Sequence, residues 1–375
     1  MHSDYKQNET DEGFICDNAN LVYNCGYDSN RNIISVTRSG QRYNESPTDS
    51  AKLSKTGLNT DTYSYEYDEV TNYLTGETNP NGDVFIYEYS EDGSLDKVTK
   101  NGTLIKEFTT SNGILTRVVK NGTTYNIGTD QLGNVTSINN ENPNSFDNIS
   151  ITYDDKIRMS SYSYQALEDN ALVNYEIIYY YNYEGIRYKK QIKKNNNIIK
   201  TINYYLDGTK ILGEDWITPS ENLRRIRYYY DADGITGIDF DGLKCNYIKD
   251  ILGNVSMVMY QGKILGEYKY DAWGNTTIVP YGTLNSNEEL ILNSNPFRYK
   301  GYYYDEETQL FYCNSRYYSP ELCRFISPDS IEYLDPSSIN GLNLYCYCMN
   351  NPIMYVDPTG HFAIWVFLGV VAISV

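Results

Sequence analysis

Self-similarity at a short period limits this chain more than any other feature. Tyr-x-Tyr-Asp occurs at Tyr65-Glu66-Tyr67-Asp68, Tyr228-Tyr229-Tyr230-Asp231, Tyr268-Lys269-Tyr270-Asp271 and Tyr302-Tyr303-Tyr304-Asp305. Looser copies are Tyr87-Glu88-Tyr89-Ser90 and Ile151-Thr152-Tyr153-Asp154. A second signature, Asp-x-x-Gly-Asn, covers Asp130 to Asn134, Asp250 to Asn254 and Asp271 to Asn275. The step is 22 residues from Tyr67 to Tyr89, 19 from Asp231 to Asp250 and 21 from Asp250 to Asp271. Side chains alternate along a strand, so Tyr-x-Tyr places two rings on one face. In Asp-x-x-Gly-Asn the aspartate accepts from amides ahead of it and glycine takes positive φ, so the chain reverses. Each unit reads as a β-hairpin. One hairpin is marginal alone, so neighbours must pair edge to edge. The tyrosines then form ladders whose phenols reach water or polar partners.

Composition agrees. There are 41 Tyr against 10 Phe and 3 Trp among 375 residues, and long runs of helix formers are missing. The fold class expected is all-β: tandem hairpins in a curved, spiralling sheet. The same Asp-x-x-Gly-Asn turns carry oxygens that suit calcium, but no segment matches an EF-hand loop, and they are read as turn chemistry.

The formal charge of −18 argues against nucleic acid, whose phosphates need Lys and Arg. One local exception is Arg187 to Lys200, with Lys189, Lys190, Lys193 and Lys194; its alternation and Asn195-Asn196-Asn197 read as a solvated hairpin. The 2 histidines, His2 and His361, exclude histidine-rich metal sites and leave acid–base chemistry to carboxylates, Tyr or Lys. The 7 cysteines are Cys16, Cys25, Cys245, Cys313, Cys323, Cys346 and Cys348, irregularly spaced and without C-x-x-C. They read as buried thiols, with one disulfide left open, and Cys346-Tyr347-Cys348 reads as two thiols on one strand face. No metal or cofactor is expected. The first nine residues lack the apolar region of a signal peptide. Phe362 to Val375 carries no charge and is too short to span a bilayer. It reads as a truncated apolar segment packed on the sheet, to which a helical form is open, with membrane contact only if the segment is extended.

The repeats resemble the YD repeats of Rhs proteins and teneurins. The run Asn295 to Asp329, NPFRYKGYYYDEETQLFYCNSRYYSPELCRFISPD, resembles the Rhs repeat-associated core of polymorphic toxins, and Gly341 to Gly360 continues that match. The resemblance covers roughly residues 60 to 361. It implies a partial shell closed by a core plug. The division expected is a divergent or partial repeat region at 1–59, YD repeats at 60–294, the core at 295–361 and a truncated segment at 362–375. At roughly a dozen repeat units the ribbon is expected to be too short to enclose a folded cargo unaided. The implied partners are further N-terminal repeats, a C-terminal toxin domain and its immunity protein. The implied location is secreted or cell-surface.

The resemblance also implies autoproteolysis by two aspartates helped by an arginine. Motif to motif these fall on Asp329 in Ile326-Ser327-Pro328-Asp329, Asp357 in Asp357-Pro358-Thr359-Gly360, and Arg316 in Asn314-Ser315-Arg316. Many self-cleaving members carry Leu directly after Asp-Pro-x-Gly and cleave behind it. Here His361 holds that position and Ser330 replaces a frequent Pro, so the scissile bond expected is His361–Phe362. Such cutting is single-turnover, and no multiple-turnover activity is expected. Two other readings stay open: a cell-surface adhesion or carbohydrate-binding module, in which tyrosines stack on sugars, and an inactive remnant. The Asp-Pro turn and an Arg316 ion pair could equally be structural.

Overall fold

The computed structural model describes residues 5–7, 13–16, 21–44, 54–111, 113–220, 222–330, 332, 343–361 and 363–365. Twenty-four strands among them, from Tyr5–Gln7 to Thr276–Pro280, form one sheet. Every strand pairs antiparallel with its neighbour in the chain, so the sheet is a continuous meander. The strands before residue 60 pair in the same way as those after it.

The unit is the one the repeat dictates. In the turns Asp130–Asn134, Asp250–Asn254 and Asp271–Asn275 one aspartate oxygen accepts the backbone N–H of the asparagine, and the other accepts its side-chain amide, at 2.7–2.9 Å. Gly133, Gly253 and Gly274 carry φ of 87°, 83° and 90°. Amides therefore occupy both oxygens of these aspartates, which is the turn role. Tyr65, Tyr87, Tyr179, Tyr228 and Tyr268 are buried on the inner face. The tyrosine two residues on donates its phenol to the carbonyl just after the preceding turn. Tyr67 reaches Ile33, Tyr89 Leu74, Tyr153 Val135, Tyr181 Met159, Tyr230 Ile211 and Tyr270 Val255, all at 2.6–3.0 Å.

After the sheet comes the helix Ser286–Ser294, started by a capping box between Asn285 and Glu288. A four-stranded sheet follows: Tyr303–Asp305, Leu310–Cys313, Arg316–Ser319 and Arg324–Phe325. This plug sits inside the curl, and turn after turn of the large sheet docks on it. Asn351 donates to Asn72 O, Asn350 to Gly93 O, Arg324 to Gly113 O and Tyr345 to Gly133 O, while Tyr318 donates to Trp273 O. The curl brings early strands back against late ones. Arg38 bridges Asp61 and Glu267 at 2.5 Å each, and Tyr87 meets Trp273 edge-on at 6.0 Å. A cavity of about 60 Å³, room for a few waters, remains at this seam between Tyr23, Arg38, Glu267 and Lys300.

Three expectations are corrected. The basic stretch from Arg187 is a hairpin, but one face of it is buried: Arg187 and Lys190 are 0% and 2% exposed. Arg187 pairs with Asp305 of the plug, and Lys190 lies 2.8 Å from Asp305 and 2.7 Å from Glu307. Arg187 and Lys190 are three residues apart, and a register shift opposite Tyr180/Tyr181 lets both face inward, where a plug carboxylate more than a hundred residues away neutralises them. Burial opposes ionisation of Glu307, but Lys190 and Lys200 prevail and hold its carboxyl down near 2. Second, Cys346 and Cys348 do not share a strand face, because Cys348–Asn350 is a 3-10 turn with positive φ. Third, the tail begins as a strand, Ile364–Trp365 pairing with Tyr355–Val356; the rest of the tail, from 366, and Phe362 lie outside the described residues. Cys245, Cys313, Cys323, Cys346 and Cys348 are free thiols.

Two consequences are measurable. Arg187→Met leaves Asp305 with one cation in place of two, and the expected loss is about 3 kcal/mol in denaturant unfolding, as for a broken buried pair; an unchanged midpoint would show that the hub is not held by charge. Glu77, 2% exposed at the seam, accepts from Tyr87 Oη and Ala272 N at 2.9 Å. Burial, then Asp271, pushes it from 4.5 up to about 8. A raised carboxyl contributes stability that is full below its unfolded value and is lost as pH rises through the folded one. Glu77→Gln should therefore leave Tm unchanged near pH 4 and raise it by a few degrees near pH 8; equal shifts at both pH values would contradict this.

Candidate functional site

The three residues singled out from sequence meet at one guanidinium. Cys313-Asn314-Ser315-Arg316 is the tight turn between the plug strands Leu310–Cys313 and Arg316–Ser319, with Asn314 at φ 65°. Asn tolerates that left-handed conformation. The turn aims Arg316 inward, where it is 6% exposed. Its Nη2 lies 2.8 Å from Asp329 and 3.6 Å from Asp357, its Nη1 donates to Leu344 O at 2.9 Å, and its Nε donates to the carbonyl of Gly360. Phe325 packs its ring 3.7 Å from the guanidinium carbon. Burial lowers the arginine's pKa, against the pull of the two carboxylates.

Asp329 is placed by its own N–H, which donates to Leu344 O at 3.0 Å. Asp357 follows the strand Tyr355–Val356, and its N–H donates to Tyr302 Oη at 2.9 Å. Its Oδ1 accepts from Gly360 N at 2.8 Å and from His361 N at 3.1 Å, closing the Asp-Pro-Thr-Gly turn. That turn is gripped from outside. Asn314 Nδ2 donates to Pro358 O at 2.9 Å, Ser315 Oγ to Thr359 O at 2.7 Å, and Arg316 Nε to Gly360 O. Three consecutive carbonyls are thus held by three consecutive residues. A Cβ at Gly360 would stand 2.5 Å from Cys313 O and from Ser315 Oγ, and φ there is 76°. Only glycine fits.

His361 is the member that sequence reasoning missed. It was read as an occupant of the Leu position, yet its Nδ1 lies 2.7 Å from Asp329 Oδ1. Its side chain is 36% exposed against 6% for Asp329, so the imidazole connects the buried carboxylate to solvent. Asn314, Ser315 and Tyr302 were missed too; only the adjacency of Asn314 and Ser315 to Arg316 hinted at them. The expected scissile bond ends at Phe362, outside the described residues. Chemically, the arrangement offers two carboxylates, one buried cation and a peptide carbonyl that the cation touches. Among the described residues no group of three or more His, Cys, Asp and Glu is placed to hold a metal ion, and no helix is long and apolar enough to cross a membrane.

No family model matches the chain. It is similar to the tRNA3(Ser)-specific nuclease WapA of Bacillus spizizenii, 31% identical over 305 residues, which is 79% of this chain and 12% of that protein. The tRNA nuclease WapA of Bacillus subtilis is 29% identical over 304 residues, again 79% and 12%. The chain therefore spans about an eighth of the length of the curated relatives it matches. A crystal structure of TcdB2-TccC3-Cdc42 covers 91% of this chain and 24% of its own, at 16% identity and a TM-score of 0.33.

The grip on the Asp-Pro-Thr-Gly turn has its own test. Gly360→Ala should displace the turn, speeding hydrogen exchange at the Gly360 and His361 amides by tenfold or more, with amides of the large sheet unchanged. Equal exchange in both proteins would show that the turn is not clamped.

Proposed function

We propose that this chain is the C-terminal wall and plug of an Rhs-type, toxin-related scaffold, and that the plug cuts its own chain behind the Asp-Pro-Thr-Gly turn. The similarity to WapA nucleases over four fifths of the chain supports the toxin-related scaffold. One observation carries the cutting: the buried guanidinium of Arg316 touches Asp329, Asp357 and the carbonyl of Gly360 at once.

The roles follow from the contacts. Arg316 polarises the carbonyl and takes up charge as the tetrahedral centre forms. One aspartate, as carboxylate, removes a proton from water; the other, in its acid form, gives a proton to the departing amine. Water adds across the peptide bond, leaving a new carboxylate on the wall and a new amine on the released piece. In this reading the partners are preceding shell repeats, a C-terminal effector and its immunity protein, at the cell surface or outside the cell.

The carbohydrate-binding alternative gains less. The repeated Tyr-x-Tyr rings point into the curl, where the plug covers them. On the outer face Tyr205 and Tyr229 donate to Asp215 and Asp239, and Arg227 packs on the Tyr205 ring.

The test is intact-mass spectrometry of the full chain after expression and incubation. Wild type should lose its C-terminal piece, while Asp329→Asn and Asp357→Asn stay whole with unchanged circular dichroism. A wild type that stays intact, or an Asp357→Asn protein that is cut at the normal rate, sinks the proposal.

A further inference from the structure

Resting on the self-cleavage reading, the geometry points to the Gly360–His361 peptide linkage, not His361–Phe362, as the bond presented for hydrolysis. Both ends of that linkage are addressed. Its carbonyl oxygen takes the Nε–H of Arg316, a guanidinium 6% exposed and held in plane by Phe325 and Leu344 O. Its N–H donates to Asp357 Oδ1 at 3.1 Å, which keeps that carboxyl beside the nitrogen that must be protonated as the bond breaks. Hydrolysis of an amide needs these two things: a cation where negative charge appears on oxygen, and an acid where the nitrogen becomes basic.

The linkage is also fixed in position. Pro358 O and Thr359 O are held by Asn314 and Ser315, and the Gly360 Cα is so enclosed that a methyl group would overlap Cys313 O. A carbonyl that cannot rotate away stays in a near-attack geometry. Asp329 stands on the other branch of the same guanidinium, 2.8 Å from Nη2, and its second oxygen is turned to the His361 imidazole. That places the general base beside the polarised carbonyl and gives its proton a route to solvent through a half-exposed ring.

The step balances as follows. Asp329 takes a proton from water, and the hydroxide adds to the Gly360 carbonyl carbon. The tetrahedral centre collapses with breakage of the C–N bond, and Asp357, entering as the acid, protonates the nitrogen of His361. The products are a Gly360 carboxylic acid, which gives its proton to solvent and stays beside Arg316 as the carboxylate, and a piece whose first residue is His361. His361 is then a residue of the leaving side whose own imidazole orients the base. This makes it a positioning residue.

The experiment reads the new termini. The full chain is incubated until cleavage stops, and both pieces are measured by mass spectrometry, with Edman sequencing of the released one. The expected pair is a wall ending at Gly360 and a piece beginning His361-Phe362-Ala363, with neither formed by Asp357→Asn. A piece beginning at Phe362 overturns this bond assignment and leaves self-cleavage standing. Absence of any cut in the wild type overturns both. His361→Leu adds a second readout: a piece beginning with the new Leu, formed at least tenfold more slowly, fits the imidazole's role on Asp329, whereas an unchanged rate removes that role.

Discussion

A buried phenol must find an acceptor, and that requirement sets the geometry of this sheet. The inner face of the curl mixes Ile, Val and Leu with a regular series of tyrosines, and each tyrosine ring brings a hydroxyl that costs free energy unless it is bonded. The acceptor is the carbonyl of the first residue after the preceding turn: Ile33, Leu74, Met159, Ile211 and Val255 all serve. Register shifts fall at the same place, between Glu66 and Tyr67, Tyr180 and Tyr181, and Tyr229 and Tyr230. A bulge bends the strand and strengthens the twist. The second tyrosine, its bulge and the turn next door therefore form one device. Repeated at each unit, it fixes the spacing of neighbouring hairpins and bends the ribbon inward.

Curvature built this way produces an interior, and the plug fills it. The plug meets the sheet through turn carbonyls at Asn72, Gly93, Gly113, Gly133 and Trp273, which the sheet itself leaves unpaired. At its centre Arg187 lies among the rings of Tyr179, Tyr204, Tyr303, Tyr312 and Tyr317, 4.3–5.8 Å from their centroids, with Asp305 as counter-charge. Three of those rings come from the plug and two from the wall. An isolated arginine there would carry a large desolvation cost; the aromatic cage and the carboxylate offset it together. Wall and plug are thus interdependent, since neither alone satisfies this charge.

How much of this was legible in the sequence follows from the range of each interaction. Tyr-x-Tyr and Asp-x-x-Gly-Asn are local, and the hairpins and their turns could be read from them directly. The meeting of Arg316, Asp329 and Asp357 spans tens of residues and was reached only through resemblance to a family; spacing alone does not bring them together. The basic stretch at Arg187 misled because its partner, Asp305, is remote, and a charge whose counter-charge is unseen reads as solvated. His361 misled for a different reason. Viewed as a departure from a Leu pattern it looked like a loss, whereas the fold gives its imidazole a contact that Leu lacks.

The clamp at residues 313–316 bears on why the proposed site would act only once. A substrate that is part of the same chain needs no binding energy for capture, so the contacts that hold it can be spent on orientation. The same contacts would persist after the proposed cut. Asn314 and Ser315 grip carbonyls on the near side of the bond, and a carboxylate formed at Gly360 would pair with Arg316 more strongly than the neutral carbonyl did. Asp357 would still cap its own turn through the Gly360 amide. By this reading the cut surface would be a better ligand for the site than the intact chain and would leave Arg316 occupied. The proposed cut would thus release one segment while the plug kept the contacts that hold it in the wall.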